Sequence, residues 1–305
     1  MEGYSVVIPV YNTTEVLKKL QLKIDTVFKQ MDAKYEIIFV DDSSTNPHTW
    51  ITLCNLVDNF DNITAIRLSR NFGQHSATIC GLSYAKGDYV ITMDDDMQHD
   101  PFDIPLLVKK SSHDIVIGTY KNKKHSFIKN IASNLKSYLD YKLLKKPKHL
   151  KLTAFRLLNR NIVNGILKIK TSNPFLPALM FYITQDVCQV NVEHYIRQEG
   201  KSGYSVVKMI KLISSLVIDN SSVLLRFIGI IGLVMMIFSI IVIVALFYRS
   251  FVSGVEVEGW TSLISTILLF GGLQLLSIGV IGEYLIRIIR ETEYKPSYFV
   301  KELKS

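Results

Sequence analysis

A chain of 305 residues has room for one catalytic domain of ordinary size plus an appendage. Its three cysteines, Cys54, Cys80 and Cys188, are odd in number and far apart, which argues against a disulfide framework or a cysteine metal site. The formal net charge of +8 suits nucleic acid, anionic lipid or a phosphorylated substrate, but two long apolar stretches beside Lys201, Lys208, Lys211 and Arg226 favour a lipid surface over nucleic acid.

The opening Met1-Glu2-Gly3-Tyr4 carries no basic segment, and the apolar run 5–10 is too short for the core of a signal peptide, so the soluble part is expected to stay where it is made. Short β-rich runs over residues 4–10, 35–40, 63–68, 89–93 and 114–118 predict strands. Their nearly continuous apolar character implies a sheet covered on both faces. Between the first two, Leu17, Leu20, Ile24, Val27, Phe28 and Met31 recur at helical spacing, and Trp50, Leu53, Val57 and Phe60 do the same after Pro47. Such alternation predicts a parallel α/β sheet whose ligands bind beyond the carboxyl ends of the strands.

Residues 121–151 are lysine-rich, with a helix expected over 128–144; a basic loop beside an anionic site and a plain solvated helix face are both open readings. The apolar segment 206–217, with Lys208 and Lys211 interspersed, suits a helix lying in a membrane interface. Residues 223–248 and 260–285 are almost uncharged, and each exceeds the about 20 residues that a hydrocarbon core requires. Arg226 stands at the start of the first stretch, Arg287, Arg290 and Lys295 follow the second, and the loop between them sets one Arg against Glu256 and Glu258; the positive-inside rule then puts both termini in the cytosol. The expected organisation is a cytosolic catalytic domain (1–205), an interfacial amphipathic helix (206–222), two transmembrane helices (223–248 and 260–285) joined by an extracytoplasmic loop (249–259), and a cytosolic tail (286–305). That describes a multi-pass protein of the inner or plasma membrane.

Chemistry concentrates at the strand ends. Asp94-Asp95-Asp96 followed by Met97-Gln98 closes the buried run 89–93. In extended chain residues 94 and 96 point the same way, and two hard oxygen ligands on one side can share Mg2+ or Mn2+ bridging a nucleotide diphosphate. A solvated acidic turn capping a helix is the bland alternative. Asp41-Asp42, followed by Ser43-Ser44-Thr45, can read base N–H groups or ribose hydroxyls, or cap the helix that starts near Pro47. Pro9-Val10-Tyr11-Asn12 offers a rigid turn and an aromatic face for a base. Within residues 197–204, Arg197, Lys201, Ser202, Tyr204 and two glycines have a phosphate-binding composition, with an ordinary basic loop as the alternative. His75, His99, His113 and His194 lack ligand spacing to one another and are expected at the surface or satisfied by neighbours.

As an ordered set, Val7-Ile8-Pro9-Val10-Tyr11-Asn12, Val40-Asp41-Asp42-Ser43-Ser44, Arg70-Asn71-Phe72-Gly73-Gln74, Asp94-Asp95-Asp96-Met97-Gln98, Phe155-Arg156-Leu157, Gly200-Lys201-Ser202 and Gly282-Glu283-Tyr284-Leu285 resemble the polyprenyl-phosphate glycosyltransferases of glycosyltransferase family 2, over essentially the whole chain. That group contains dolichol-phosphate mannose synthase and the bactoprenol glucosyltransferases. The resemblance implies a GT-A fold, a Rossmann-like mixed α/β sheet, followed by interfacial helices and two transmembrane helices. It implies that Pro9, Tyr11, Asn12, Asp41, Asp42 and Asp95 hold the nucleotide, that Asp94 and Asp96 hold the metal, and that Gln98 lies near the sugar. Arg197, Lys201, Ser202 and Tyr204 match the segment that approaches the diphosphate and the lipid phosphate.

Three positions depart from the family pattern. Thr13 stands where relatives often have Glu, Ala154 where bactoprenol relatives have an acidic residue before Phe-Arg-Leu, and Tyr120 where a basic residue often follows the strand. The second departure costs little, because a phosphate monoester with a second pKa of about 6 is largely dianionic in the cytosol and needs no dedicated base. The expected activity is inverting transfer of a hexose from a nucleotide-sugar, UDP-glucose by resemblance, to undecaprenyl phosphate, by a homo-oligomer at the bilayer, with a tetramer as one open arrangement. GDP-mannose and UDP-N-acetylglucosamine remain open as donors, and a non-catalytic nucleotide-sugar sensor or scaffold is the alternative from another class.

Overall fold

The computed structural model describes residues 3–120, 150, 152–171, 174–192, 259–292 and 296–305, with 234, 237 and 241 as isolated positions. Residues 1–203 and 294–305 form one compact unit and residues 204–293 a second. In the first unit the described strands are β1 (Gly3–Val10), β2 (Lys34–Asp41), β3 (Ile63–Leu68), β4 (Tyr89–Thr92), β5 (Ile115–Tyr120), β6 (Arg156–Asn159), β7 (Val187–Val192) and β8 (Val300–Lys304). Its helices are α1 (Glu15–Gln30), α2 (Pro47–Asn59), α3 (Gln74–Tyr84), α4 (Ile104–Val108), α5 (Arg160–Lys168) and α6 (Leu176–Ile183).

The strands form one mixed sheet in the order β7-β5-β6-β4-β1-β2-β3-β8. Parallel pairing runs through β4, β1, β2 and β3, as the βαβ alternation predicts. β6 runs antiparallel to β4 and β5, and β8 antiparallel to β3, so the sheet is mixed rather than all parallel.

Alternation along each strand separates two cores. Val6, Ile8 and Val10 of β1 join Ile37 and Phe39 of β2 against Leu17, Leu20, Ile24 and Phe28 of α1 and Leu53 of α2. Val7, Ile38 and Val40 face the opposite way, onto Ala77, Cys80 and Leu82 of α3, Ile162 and Ile166 of α5 and Met180 of α6. Period-2 strands with both sets buried give the near-continuous apolar runs of the sequence. Local chemistry fixes the helix starts: Asn46 accepts from His48 N–H (3.0 Å) with Pro47 at the first helical position, and Asn159 accepts from Ile162 N–H (2.9 Å).

Within the stretch expected as a tail, β8 completes the sheet edge, and Phe299 O accepts from Ser69 N–H at 2.9 Å. In the second unit, α7 (Trp260–Thr292) is a continuous 33-residue helix whose first charged residue is Glu283. Among the described residues no helix is long and apolar enough to cross a membrane, and several α7 side chains fall outside the description. The expected span 260–285 lies within α7. The expected helix at 128–144, the interfacial segment and the span 223–248 lie outside the described residues, apart from positions 234, 237 and 241.

Candidate active site

Three parallel strands deliver their following segments to one end of the sheet. Val10 at the end of β1 is the register partner of Asp41 in β2, and Val7 is the partner of Thr92 at the end of β4. Pairing continues one residue further, with Met93 N–H donating to Val7 O (3.2 Å) and Asp42 N–H to Val10 O (2.9 Å). Tyr11-Asn12, Asp42-Ser43-Ser44 and Asp94-Asp95-Asp96 are thereby neighbours, at the sheet end where open α/β sheets bind ligands.

The three carboxylates do not lie on extended chain. β4 stops at Thr92, residues 95–98 bend through a turn, and Met97 has φ 60°, so strand alternation does not orient Asp94 and Asp96. Both act on one neighbour, Tyr120. Burial raises the pKa of the Tyr120 phenol, and the charges of Asp96 and Asp94 raise it further. Tyr120 Oη is 3.1 Å from His99 Nδ1, the two rings stack at 4.7 Å, and both residues are buried. Tyr120, which replaces a basic residue of the family pattern, thus forms an aromatic wall to the acidic turn. Asp96 itself is buried and accepts from Gln98 N–H at 3.1 Å, which places Gln98 beside the turn.

Asp95 bonds to the segment after β1. Its carboxylate accepts from Tyr11 N–H (3.3 Å) and from the Thr13 side chain, while burial lifts its pKa to about 6. Thr13 is therefore a direct partner of the acidic turn. Asn12, in the left-handed region at φ 59°, accepts through Oδ1 from Thr45 Oγ1 (3.2 Å) and Asn46 N–H (3.0 Å) and donates its own N–H to Ser44 Oγ (2.8 Å). Tyr11 keeps its ring exposed at 47 %.

Asp41 and Asp42 hold protein groups. Asp41 is fully buried, accepts from Ser44 N–H at 2.9 Å and lies 3.4 Å from Arg67 Nε. Asp42 accepts from Phe72 N–H (2.7 Å) and Gly73 N–H (2.8 Å); burial raises its pKa while these two bonds pull it down. Asp42 fastens the start of α3 to the end of β2, and Asp41 ties that end to Arg67 of β3.

Pro9, Gln74, His75, Thr78, Thr92, Met93, Asp94, Ala154 and Arg156 line a cleft at this end of the sheet. The Gln74 side-chain amide donates to Asp94 Oδ1. Arg156 is buried, and burial lowers its pKa to about 10 against the opposing charge of Asp94, so it stays cationic at neutral pH. Burial, then the charge of Arg156, lowers His75 to about 4 and keeps it neutral. His113 pairs with Asp186 at 2.6 Å, away from the cleft lining. His194, Arg197, Lys201, Ser202 and Tyr204 lie outside the described residues.

Among the described residues no group of three or more His, Cys, Asp or Glu could hold a metal ion. Two carboxylates suffice where substrate phosphates and water complete the shell, which is the usual arrangement for Mg2+. Asp94 and Asp96 fit a metal that arrives with a diphosphate and do not fit a resident all-protein cage.

Gln74 and Arg156 occur in the sequence only as parts of longer motifs, and their place in the cleft was not legible because it depends on α3 and β6 packing. Arg67 did carry a signal, a lone cation in the apolar run Ile63–Leu68.

Residues 5–167 match Glycosyl transferase family 2. CsbB of Bacillus subtilis (strain 168), a glycosyltransferase by name, is 33% identical over 304 residues, covering 98% of this chain and 91% of that protein. Among solved structures, glucosyl-3-phosphoglycerate synthase from Mycobacterium tuberculosis in complex with Mn2+, UDP-glucose and phosphoglyceric acid is similar, with a TM-score of 0.52 at 14% identity over 71% of this chain and 78% of that one. The same enzyme with UDP gives a TM-score of 0.51 at 15% identity, covering 71% and 79%. These likenesses show the GT-A-like mixed sheet. With more than half of its length matched by the family and a relative aligned nearly end to end, the chain belongs to glycosyl transferase family 2.

Proposed function

We propose that this protein transfers glucose from UDP-glucose to a polyprenyl phosphate, undecaprenyl phosphate, with inversion, giving a lipid-linked sugar for modification of a surface glycan. The carrying observation is the convergence of Asp94, Asp95 and Asp96 with the exposed ring of Tyr11 and the cationic Arg156 at one end of the sheet. UDP-glucose is supported by the M. tuberculosis synthase structures that hold it with Mn2+. The Tyr11 ring offers its face to the base, and the cleft beside Asp94 takes the reacting phosphates. Mg2+ or Mn2+ held by Asp94 and Asp96 supplies charge neutralisation at the leaving diphosphate when bound. Ala154 puts no carboxylate in the cleft, and a dianionic acceptor needs none, so alignment and charge carry the step.

A bilayer as the source of the acceptor is supported by two features. Leu263, Ile267, Ile278, Ile281, Leu285 and Ile288 of α7 are exposed apolar side chains on one long helix. β8 lies in the same sheet as β1, so a chain that enters a membrane after residue 203 and returns before 294 must cross it an even number of times, as two spans do. The cationic Arg197 and Lys201 precede that excursion and suit the lipid phosphate, with Ser202 and Tyr204 as hydrogen-bonding partners.

Purified full-length protein, incubated with undecaprenyl phosphate, Mn2+ or Mg2+ and in turn UDP-glucose, GDP-mannose and UDP-N-acetylglucosamine, tests this reading by mass spectrometry of the lipid. Glucosyl lipid is expected from UDP-glucose, with loss on chelation and a fall of about a hundredfold or more in Asp96→Ala. Product from another donor alone reassigns the sugar. Metal-dependent nucleotide binding without any lipid product favours a non-catalytic sensor.

A further inference from the structure

Arg156 is an unusual core residue. It is 5 % exposed, its Nε has no hydrogen-bond partner among the described residues, and Asp94 is the carboxylate that acts on its charge. A buried cation with an unmet N–H is costly, and such a group is retained where an anion completes it. Gln74 already bonds to that carboxylate, and a metal there would draw its charge further away from the guanidinium.

The cleft that Arg156 lines also receives the N-terminal end of α3, an 11-residue helix represented there by Gln74, His75 and Thr78. Its N-cap, Gly73, has no side chain and makes no capping bond, so the first-turn N–H groups keep their capacity to donate. Asp42 grips Gly73 N–H and holds this helix end in place. Helix N-termini favour anions through both their N–H groups and their dipole. His75 is neutral at neutral pH and brings no second charge. Among the described residues the cleft lining therefore has one cation, one helix end and two hydroxyls, Thr78 and Thr92, next to the acidic turn.

We infer that Arg156 and the N-terminus of α3 form a binding site for a phosphate group beside Asp94. The identity of that phosphate rests on the proposed function, which supplies two sources: the diphosphate of the donor and the monoester of the acceptor.

The test uses the full chain in detergent, with Arg156→Gln and Arg156→Lys, and measures calorimetric binding of UDP with Mn2+, of farnesyl phosphate and of inorganic pyrophosphate, together with the apparent Tm of each unliganded protein. Arg156→Gln is expected to weaken at least one phosphate-bearing probe by about tenfold or more, with Arg156→Lys intermediate because it keeps the charge and loses the planar fork. The Tm of Arg156→Gln is expected to be unchanged or higher, since a buried cation with an unmet N–H is removed while Asp94 keeps its bond from Gln74. Loss confined to UDP identifies the donor diphosphate, and loss confined to farnesyl phosphate identifies the acceptor. Unchanged binding of all three probes in Arg156→Gln overturns the site, and so does a lowered Tm with binding intact. If Arg156→Gln fails to fold, Arg156→Lys decides alone, with wild-type affinity for every probe as the overturning result. Arg156-dependent pyrophosphate binding in a protein that takes neither UDP nor farnesyl phosphate would keep the site and sink the proposed function. Tight UDP and farnesyl phosphate binding indifferent to Arg156 would do the reverse.

Discussion

Arg67 and Asp41 are partners in two ways: they are register partners across β2 and β3, and Arg67 Nε lies 3.4 Å from Asp41 Oδ2. The same guanidinium packs over Trp50 at 5.7 Å and reaches Glu302 of β8 at 3.4 Å. These two ion pairs differ in burial, since Asp41 is fully buried and the Glu302 side chain is 41% exposed. Removing the cation strands a buried carboxylate, whereas removing Glu302 breaks a solvated pair. Arg67→Met is expected to destabilise by about 3 kcal/mol, roughly 6–12 °C in apparent Tm for a unit of this size. Glu302→Gln should stay within about 1 kcal/mol. Thermal unfolding of the two variants side by side checks the ranking, and equal losses would contradict it.

Asp42 connects β2 to the loop before α3 through two backbone N–H groups, and Gln74, the first residue of α3, bonds to Asp94. Asp42→Ala removes both acceptors at once. Faster hydrogen exchange at Phe72 and Gly73 is expected, with a fall of about tenfold or more in kcat/KM because the Gln74–Asp94 contact loses its support. Asp42→Asn keeps one acceptor oxygen and should fall between the two. Gln74→Ala should reproduce the kinetic loss without the change in exchange. Kinetic loss in Asp42→Ala with unchanged exchange would assign Asp42 directly to the nucleotide.

The central strands were legible because each carries apolar residues on both faces over six to eight positions, as in β1, β2 and β3. The edges were not. β7 exposes alternate residues, β6 is four residues long, and β8 is a charged Val-Lys-Glu-Leu-Lys run that takes strand form through pairing with β3. α3 escaped for a different reason: its small residues, Ser76, Ala77, Cys80 and Gly81, pack on both sides and leave no amphipathic stripe to read. At the site, residue type located the acidic turn, but its orientation came from partners distant in sequence. Tyr120, Arg156 and Arg67 acquire their roles only when β5, β6 and β3 bring them to Asp94, Asp96 and Asp41.

Gly81 offers a test of that close packing in which the usual expectation reverses sign. In a helix interior, Gly→Ala ordinarily stabilises by about 1 kcal/mol. At this position a Cβ would come within 2.3 Å of Val7 Cγ1 and 3.2 Å of Val40 Cγ2, so α3 lies against β1 and β2 with no room for a methyl group. Gly81→Ala is expected to lower stability by about 1–3 kcal/mol, because the overpacking outweighs the propensity gain. Val7→Ala alone leaves a void and also destabilises. Combined, the added methyl occupies space left by the removed ones, so Gly81→Ala should become neutral or stabilising in the Val7→Ala background. The cycle of four apparent Tm values checks this, and additive losses would show that α3 yields by moving away from the sheet instead. That outcome would also displace Gln74 and the helix end from Asp94, and activity would fall in step with stability.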